Sequence, residues 1–191
     1  MADFIALSAI AYTWEALGLV WLVGLAFTKR TVKRQPYGTR LFHLALAAVG
    51  FTLLGSNWFD HSWLSTPLFP HDAAFGIIGL ALTIAGCAFA GWARFILGRN
   101  WSGIATVKEG HELIVTGPYA LTRHPIYTGL LTAAFGAAFA VMEVRCILGM
   151  VVILLALAMK MSQEEKLMMQ TFPVAYSRYR ERVKALVPGL L

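Results

Sequence analysis

The chain has 191 residues, 58% of them hydrophobic and only 14% charged, with a mean hydropathy of +0.65. A soluble domain of this size carries about 45–50% apolar and about 25% charged residues, so the composition excludes one and indicates a polytopic membrane protein. The length suits a single domain, residues 1–191, rather than two, and the net charge is +6.

Crossing about 30 Å of hydrocarbon takes roughly 20 apolar residues in a helix. Runs at 6–27, 41–58, 73–97, 126–142 and 144–161 are predicted to be five spans. The opening stretch "MADFIALSAIAYTWEALG" lacks a basic region and a small-residue cleavage site followed by polar chain. It reads as a retained span, not a removed signal. In the third span Gly76, Gly79, Gly86 and Ala90 predict close helix packing. The fourth is short, and only "MEVR" (142–145) separates it from the fifth; the two are predicted to form a tight helical hairpin. In the tail, Leu167, Phe172, Tyr176, Tyr179 and Val183 recur at mixed helical steps that Pro173 interrupts. Two short amphipathic helices are expected there, with "VPGLL" as an extended end. Cys87 and Cys146 fall inside apolar runs and read as core residues.

Lysine and arginine set the orientation. Lys29, Arg30, Lys33, Arg34 and Arg40 lie between the first two spans. Arg94, Arg99, Lys108 and Arg123 surround the third connection, and Lys160, Lys166, Arg178, Arg180, Arg182 and Lys184 follow the fifth span. Arg145 alone falls opposite, and the loop 57–72 has no basic residue. The N-terminus is therefore expected outside and the C-terminus in the cytoplasm. This bias, with contact to anionic headgroups, accounts for the positive charge without a nucleic-acid partner. Trp58 and Trp63 mark the outer interface; Trp92 and Trp101 mark the inner one. The fold class expected is thus all-α: a polytopic membrane bundle of five transmembrane helices with a short cytoplasmic helical tail. Residues 1–93 supply the N-terminal spans and 94–191 the functional part.

Ionisable residues at membrane depth are expensive and by default functional. They converge here from three places: Arg94 at the inner end of span three, Arg123 and His124 at the entry to span four, and Lys160, Glu164 and Glu165 at the exit of span five. The start of one hairpin arm and the end of the other are neighbours, so 123–127 and 160–165 are expected to face each other. Pro125 presets the first turn of span four. Just before it, free N–H groups and the positive dipole end favour a carboxylate. Adjacent Glu164 and Glu165 point about 100° apart on a helix, one into the hairpin and one toward the tail. Two acids can balance a cation such as an amine or a sulfonium, and Tyr119 and Tyr127 can wall a flat ring. Glu15, His43, Asp60, His61, His71 and Asp72 carry less weight. The last four match no ligand spacing, so no metal is expected.

The segments "TGPYALTRHPIYTGLL" and "EEKLMMQTFPVAYSRYRERVKALVP" resemble the isoprenylcysteine carboxyl methyltransferase and phospholipid methyltransferase family, prokaryotic in type. Arg123, His124, Pro125, Tyr127 and Gly129 fill an R-H-P-x-Y-x-G pattern. Glu164, Glu165, Leu167, Phe172, Tyr176, Tyr179 and Pro188 fill the second pattern, and "LGRNWS" (97–102) is also similar. The resemblance implies an integral-membrane enzyme that uses S-adenosylmethionine without a soluble dinucleotide-binding fold, and no G-x-G-x-x-G is present. It implies a cytoplasm-facing cofactor pocket lined by Tyr119, Arg123, His124, Pro125 and Tyr127, with backbone contacts from Val115 and Gly117. Glu164 and Glu165 would hold the methionine amine or ribose, or balance the sulfonium. Arg94, Lys160 and Glu165 are the catalytic candidates, the two cations positioning the methyl acceptor. Eukaryotic members tend to carry arginine near Lys160, and lysine lacks the planar two-donor fork. The implied acceptor is a lipid-like or lipidated molecule entering from the bilayer. Two alternatives remain at this point. One is a membrane sterol- or isoprenoid-type reductase using a nicotinamide cofactor, which shares a similar R-H-P-x-Y region. The other is a non-catalytic protein keeping the pocket as a relic.

Overall fold

Helix boundaries follow local capping chemistry. In the computed structural model, which describes residues 2–27, 31–34, 37–70, 72–101, 106–108 and 112–190, Asp72 accepts a hydrogen bond from the Ala74 amide at 2.9 Å and opens helix α3 (Ala73–Leu97). Gly98, at φ 51°, closes it. Pro125 fills the first position of α4 (Pro125–Val141), where its missing N–H costs nothing. Met142 ends α4 in the left-handed region, and Glu143 precedes α5 (Val144–Thr171). The tight hairpin expected from "MEVR" is present. Before these come α1 (Ala2–Leu25) and α2 (Tyr37–Gly55), and α6 (Pro173–Arg182) follows.

Among the described residues, three helices are long and apolar enough to cross a membrane: α1 over Phe4–Leu25, α3 and α5. The apolar parts of α2 (Leu41–Gly55) and α4 are shorter. Leu22, Phe95 and Leu155 stand exposed on their outer faces, as lipid-facing residues do. Lys29, Arg30 and His71 lie outside the described residues.

The all-helical architecture is as expected, with one addition and one correction. The addition is a short ribbon in which β1 (Thr31–Arg34) pairs antiparallel with β2 (Thr106–Lys108), setting Lys33 opposite Val107. Both segments contain Thr-Val-Lys, and β-branched pairs favour extended chain, but the stretch is too short to show a period. The correction concerns the tail, which holds one separate helix, not two. Nothing between 162 and 171 breaks a helix, so α5 runs on to Thr171 before Pro173 starts α6.

Helix α4 packs chiefly on α3, and α5 chiefly on α2. Glycine makes both contacts possible. A Cβ on Gly129 would stand 2.6 Å from the Ala90 nitrogen, and one on Gly136 the same distance from the Gly79 oxygen. Thr83, fully buried, donates to the Gly79 carbonyl at 2.8 Å and lies 3.3 Å from the Ala133 carbonyl on the facing helix. Across the second pair, a Cβ on Gly50 would meet Ile153 at 2.5 Å. Leu54, Ala134, Ala138, Cys146 and Ile153 fill the centre.

Arg145 ties the hairpin tip to the end of α2. It pairs with Glu143 and reaches the carbonyls of Leu53, Leu54 and Ser56 at 3.1–3.2 Å, which are the unsatisfied acceptors a helix leaves at its end.

Gly129→Val should therefore lower the unfolding midpoint in detergent sharply, since overpacking costs about 1–3 kcal/mol or more where backbone is in the way. Gly91→Ala is the control. Its Cβ meets nothing within 4 Å, and it should change stability by no more than about 1 kcal/mol.

Candidate active site

The polar end of the bundle is assembled from the mouth of α4, the last turns of α5 and the tail. A 3₁₀ turn over Gly117–Ala120, with Gly117 at φ 60°, brings the chain to α4 and buries Pro118 and Tyr119. His124 precedes a proline, which keeps it out of the helical region, at φ −124° and ψ 58°. Its ring lies parallel to that of Tyr127, 5.5 Å between centroids. On α5, Lys160 and Glu164 share a face one turn apart. The unbroken extension of α5 past residue 161 delivers both acids to the site.

The two patches meet, as the hairpin topology predicts. Arg123 donates through Nε and Nη2 to Glu165 Oε1 at 2.8 and 2.6 Å. His124 Nε2 is 3.3 Å from that oxygen, and its Nδ1 is 3.7 Å from Glu164 Oε2. Tyr127 donates its hydroxyl to Glu164 Oε1 at 2.6 Å. Arg180 of α6 reaches the other oxygen of Glu165 at 3.5 Å, and Lys160 Nζ lies 5.4 Å from the Tyr127 ring centroid. The twin acids diverge as their spacing requires: Glu164 faces a cavity, and Glu165 braces the loop and the tail behind it.

That cavity has a volume of about 200 Å³. Its polar lining includes Glu164, Lys160, Arg123, His124, Tyr176 and Tyr179, and its apolar lining includes Trp21, Leu97, Trp101, Ile126 and Leu130. Burial, reinforced by Glu164, pushes the Tyr119 phenol far above its ordinary value. Burial also raises the Tyr176 and Tyr179 phenols. All three stay protonated across the physiological range, and the Tyr179 hydroxyl donates a hydrogen bond to the Tyr119 carbonyl at 2.6 Å.

The remaining expected residues sit elsewhere. Arg94 is buried behind the wall, where it donates to the Gly24 and Gly98 carbonyls at 2.7 and 2.9 Å and lies 4.4 Å from the Trp101 ring centroid. Trp101, not Arg94, faces the cavity. Val115 and Gly117 do not line it. The N–H groups before α4, expected free, are not: those of Arg123 and His124 donate to Lys184 and Ala185 carbonyls at 2.8 and 3.0 Å. Glu15 is exposed, and buried His43 has its Nε2 3.5 Å from the Gln163 amide nitrogen. Asp72 serves as the α3 cap. Sequence reasoning missed Trp21 and Asn100 as lining residues. Trp21 sits in an ordinary apolar run, and only the packing of α1 on α3 aims it inward.

Helices of crossing length around a cavity, with a buried ion network at one end, define a helical integral-membrane protein. The model of the isoprenylcysteine carboxyl methyltransferase (ICMT) family matches residues 78–170, the stretch that builds most of this site. Protein-S-isoprenylcysteine O-methyltransferase B of Arabidopsis thaliana is 29% identical over 132 residues, 68% of this chain and 61% of that one. Methyltransferase A of the same plant is 31% identical over 113 residues, 58% and 57% of the two chains. The cobalt-zinc-cadmium resistance protein CzcN of Cupriavidus metallidurans is 29% identical over 143 residues, 72% and 59%. The chain thus spans about three-fifths of the length of the curated relatives it matches. A solved structure of the eukaryotic intramembrane Ras methyltransferase ICMT shares its fold, with a TM-score of 0.52 at 21% identity over 82% of this chain and 54% of that one. Over residues 78–170 the chain is similar to the ICMT family, and its fold resembles that of the solved methyltransferase.

The ion network is open to a double-mutant cycle. Arg123→Leu takes from Glu165 its nearest cation, leaving only His124 and Arg180 beside it, and should cost about 1–3 kcal/mol, the size of a lost buried charged hydrogen bond. Adding Glu165→Leu should recover more than half of that loss in denaturant unfolding, because the two residues act as a pair.

Proposed function

We propose that this protein transfers a methyl group from S-adenosylmethionine to a lipid-like or amphipathic acceptor at the cytoplasmic face of a membrane. The observation that carries the reading is the convergence of Arg123, His124 and Tyr127 with Glu164 and Glu165 around one cavity, within the segment that matches the family. The proposed topology is five spans, N-terminus outside, because the basic residues cluster at the connections expected to be cytoplasmic.

The residues present suit such a cofactor. Glu164 places a carboxylate on the cavity wall, fixed by the Tyr127 hydroxyl, and flat rings of Tyr119, Tyr127 and Trp101 line the space. When bound, the cofactor supplies an electrophilic methyl on a positively charged sulfur. Glu164 offsets that charge or holds the amine. Arg123 and Glu165 keep His124 and the mouth of α4 in place. Alignment is the main contribution open to such a site, worth up to about 7–11 kcal/mol in favourable cases. Lys160, above the Tyr127 ring, positions an anionic acceptor; as a point charge it can also suit an acceptor other than a carboxylate. An acceptor that carries a proton needs a base besides. The apolar lining of the cavity, with Trp21 from α1 and Leu130 from α4, accommodates hydrocarbon arriving from the bilayer. Arg94 acts indirectly, by holding Trp101.

S-adenosylhomocysteine at a hundred times its Kd should stabilise the detergent-solubilised protein by about 2.7 kcal/mol, read as a rise of several degrees in the unfolding midpoint. NADPH should give no shift. The opposite pattern would establish the reductase alternative, and no shift from either ligand would favour a relic.

Residue roles separate in the same assay. Glu164→Gln should weaken S-adenosylhomocysteine binding by tenfold or more, one to two steps of about 1.4 kcal/mol. Lys160→Met should leave that affinity within about threefold and reduce turnover of the acceptor. Equal losses in both measurements would remove Lys160 from the acceptor side.

A further inference from the structure

The segment "LGRNWS" (97–102) contributes to the cavity in a way the ion network does not. Helix α3 stops at Gly98, and Gly98–Asn100 make one 3₁₀ turn. The Gly98 carbonyl accepts from the Arg94 guanidinium at 2.9 Å and from the Trp101 amide at 3.3 Å, so the turn is pinned from before and after. It brings Asn100 and Trp101 together to the cavity wall.

Asn100 is the odd member of that wall. Its Oδ1 is buried and has no hydrogen-bond partner. A buried acceptor without a donor costs free energy, and nearly all such groups in native proteins are satisfied, so this one requires a reason. The other polar groups of the cavity do not share the problem. Glu164 accepts from Tyr127, Arg123 is paired with Glu165, and Tyr179 donates to the Tyr119 carbonyl. Glu112, on the same connection, is exposed to solvent. Arg94 Nε is also buried without a partner, but Arg94 does not line the cavity. Among the described residues, Asn100 is thus the cavity-lining side chain with a stranded buried acceptor. Trp101 beside it is held by the Arg94 guanidinium, 4.4 Å from its ring centroid, and edge-on by Trp21 at 6.3 Å. A fixed aromatic surface takes a planar ring by stacking. An asparagine amide next to it can read that ring's edge, because its acceptor and donor lie side by side and match the 6-amino group and N7 of adenine.

We infer that Asn100 recognises the base of the methyl donor, its Oδ1 accepting a hydrogen bond from the 6-amino group of adenine. The inference rests on the proposed function and deepens it: the base belongs to the connection after α3, and the amine or sulfonium belongs to Glu164. The unliganded protein is one hydrogen bond short at this wall, and the ligand supplies it. A ring without that donor leaves the Asn100 acceptor stranded, so selectivity for adenine follows from the same atom.

Titration calorimetry on the full chain in detergent tests this with two probes: S-adenosylhomocysteine, and its purine analogue with hydrogen in place of the 6-amino group. The wild-type protein should bind S-adenosylhomocysteine about tenfold more tightly than the analogue, the scale of one hydrogen bond to a buried group. Asn100→Leu should bind both probes with the weaker affinity, so that the change in protein and the change in ligand are not additive. Asn100→Ala, which demands no extra space, should behave alike. Equal wild-type affinity for the two probes would overturn the inference without any variant. Undiminished selectivity in the Asn100 variants would overturn it as well. Binding of S-adenosylhomocysteine without selectivity would leave the methyl-donor reading standing and remove Asn100 from it. Binding of neither probe would overturn the methyl-donor reading itself, and the role of Asn100 with it.

Discussion

A single ion pair, Arg123 with Glu165, holds the working end of this protein together. It joins two positions 42 residues apart that the hairpin brings side by side, and both partners are largely buried. Breaking such a pair is costly because the charge left behind has lost its water and gains no partner. Here the pair is not isolated. Glu165 also meets His124 and Arg180, and Arg123 also meets the Val183 carbonyl, so the loop before α4, the end of α5 and the tail are fixed by one network. Networks of this kind are rigid when every member is satisfied, and rigidity is what the proposed methyl transfer would need from its scaffold.

The division between Glu164 and Glu165 follows from helix geometry alone. Adjacent residues on a helix point about 100° apart, so one acid is committed to structure and the other is left facing the cavity. Either acid alone would have to serve both purposes. With two, the structural charge is neutralised by arginine while Glu164 keeps one oxygen on the Tyr127 hydroxyl and contributes negative potential to the space beside it.

What the sequence makes legible is what period and topology control. Apolar runs of the right length give the five helices. A four-residue gap at 142–145 forces the hairpin, which in turn forces residues 123–127 to meet 160–165. The stripe of Gly79, Gly86 and Ala90 announces the α3–α4 contact. What stays hidden depends on long-range placement. The β1–β2 ribbon is too short for a pattern. Arg94 looks like a membrane-depth cation awaiting a ligand, yet its partners are the Gly24 and Gly98 carbonyls and the Trp101 face. Backbone acceptors carry no sequence signature. The donors before α4 are satisfied by the 184 and 185 carbonyls for the same reason, and no residue type at those positions could have indicated it.

The cavity itself results from unequal packing. Two helices joined by a tight turn would ordinarily lie against each other along their length, closing the space between them. Here α4 is drawn onto α3 by glycines that let backbones touch, and α5 is drawn onto α2 by Gly50 and Gly149. The hairpin arms are joined at the Met142 turn, and at the other end long side chains of 123–127 and 160–165 bridge them. The cavity at that end is not an apolar void, which would lose packing energy. Polar side chains from α4 and α5, Trp21 from α1 and aromatic residues from the tail line it instead. The glycines thus fix which neighbour each arm of the hairpin packs on, and with it where the residues of α4 and α5 that line the cavity stand.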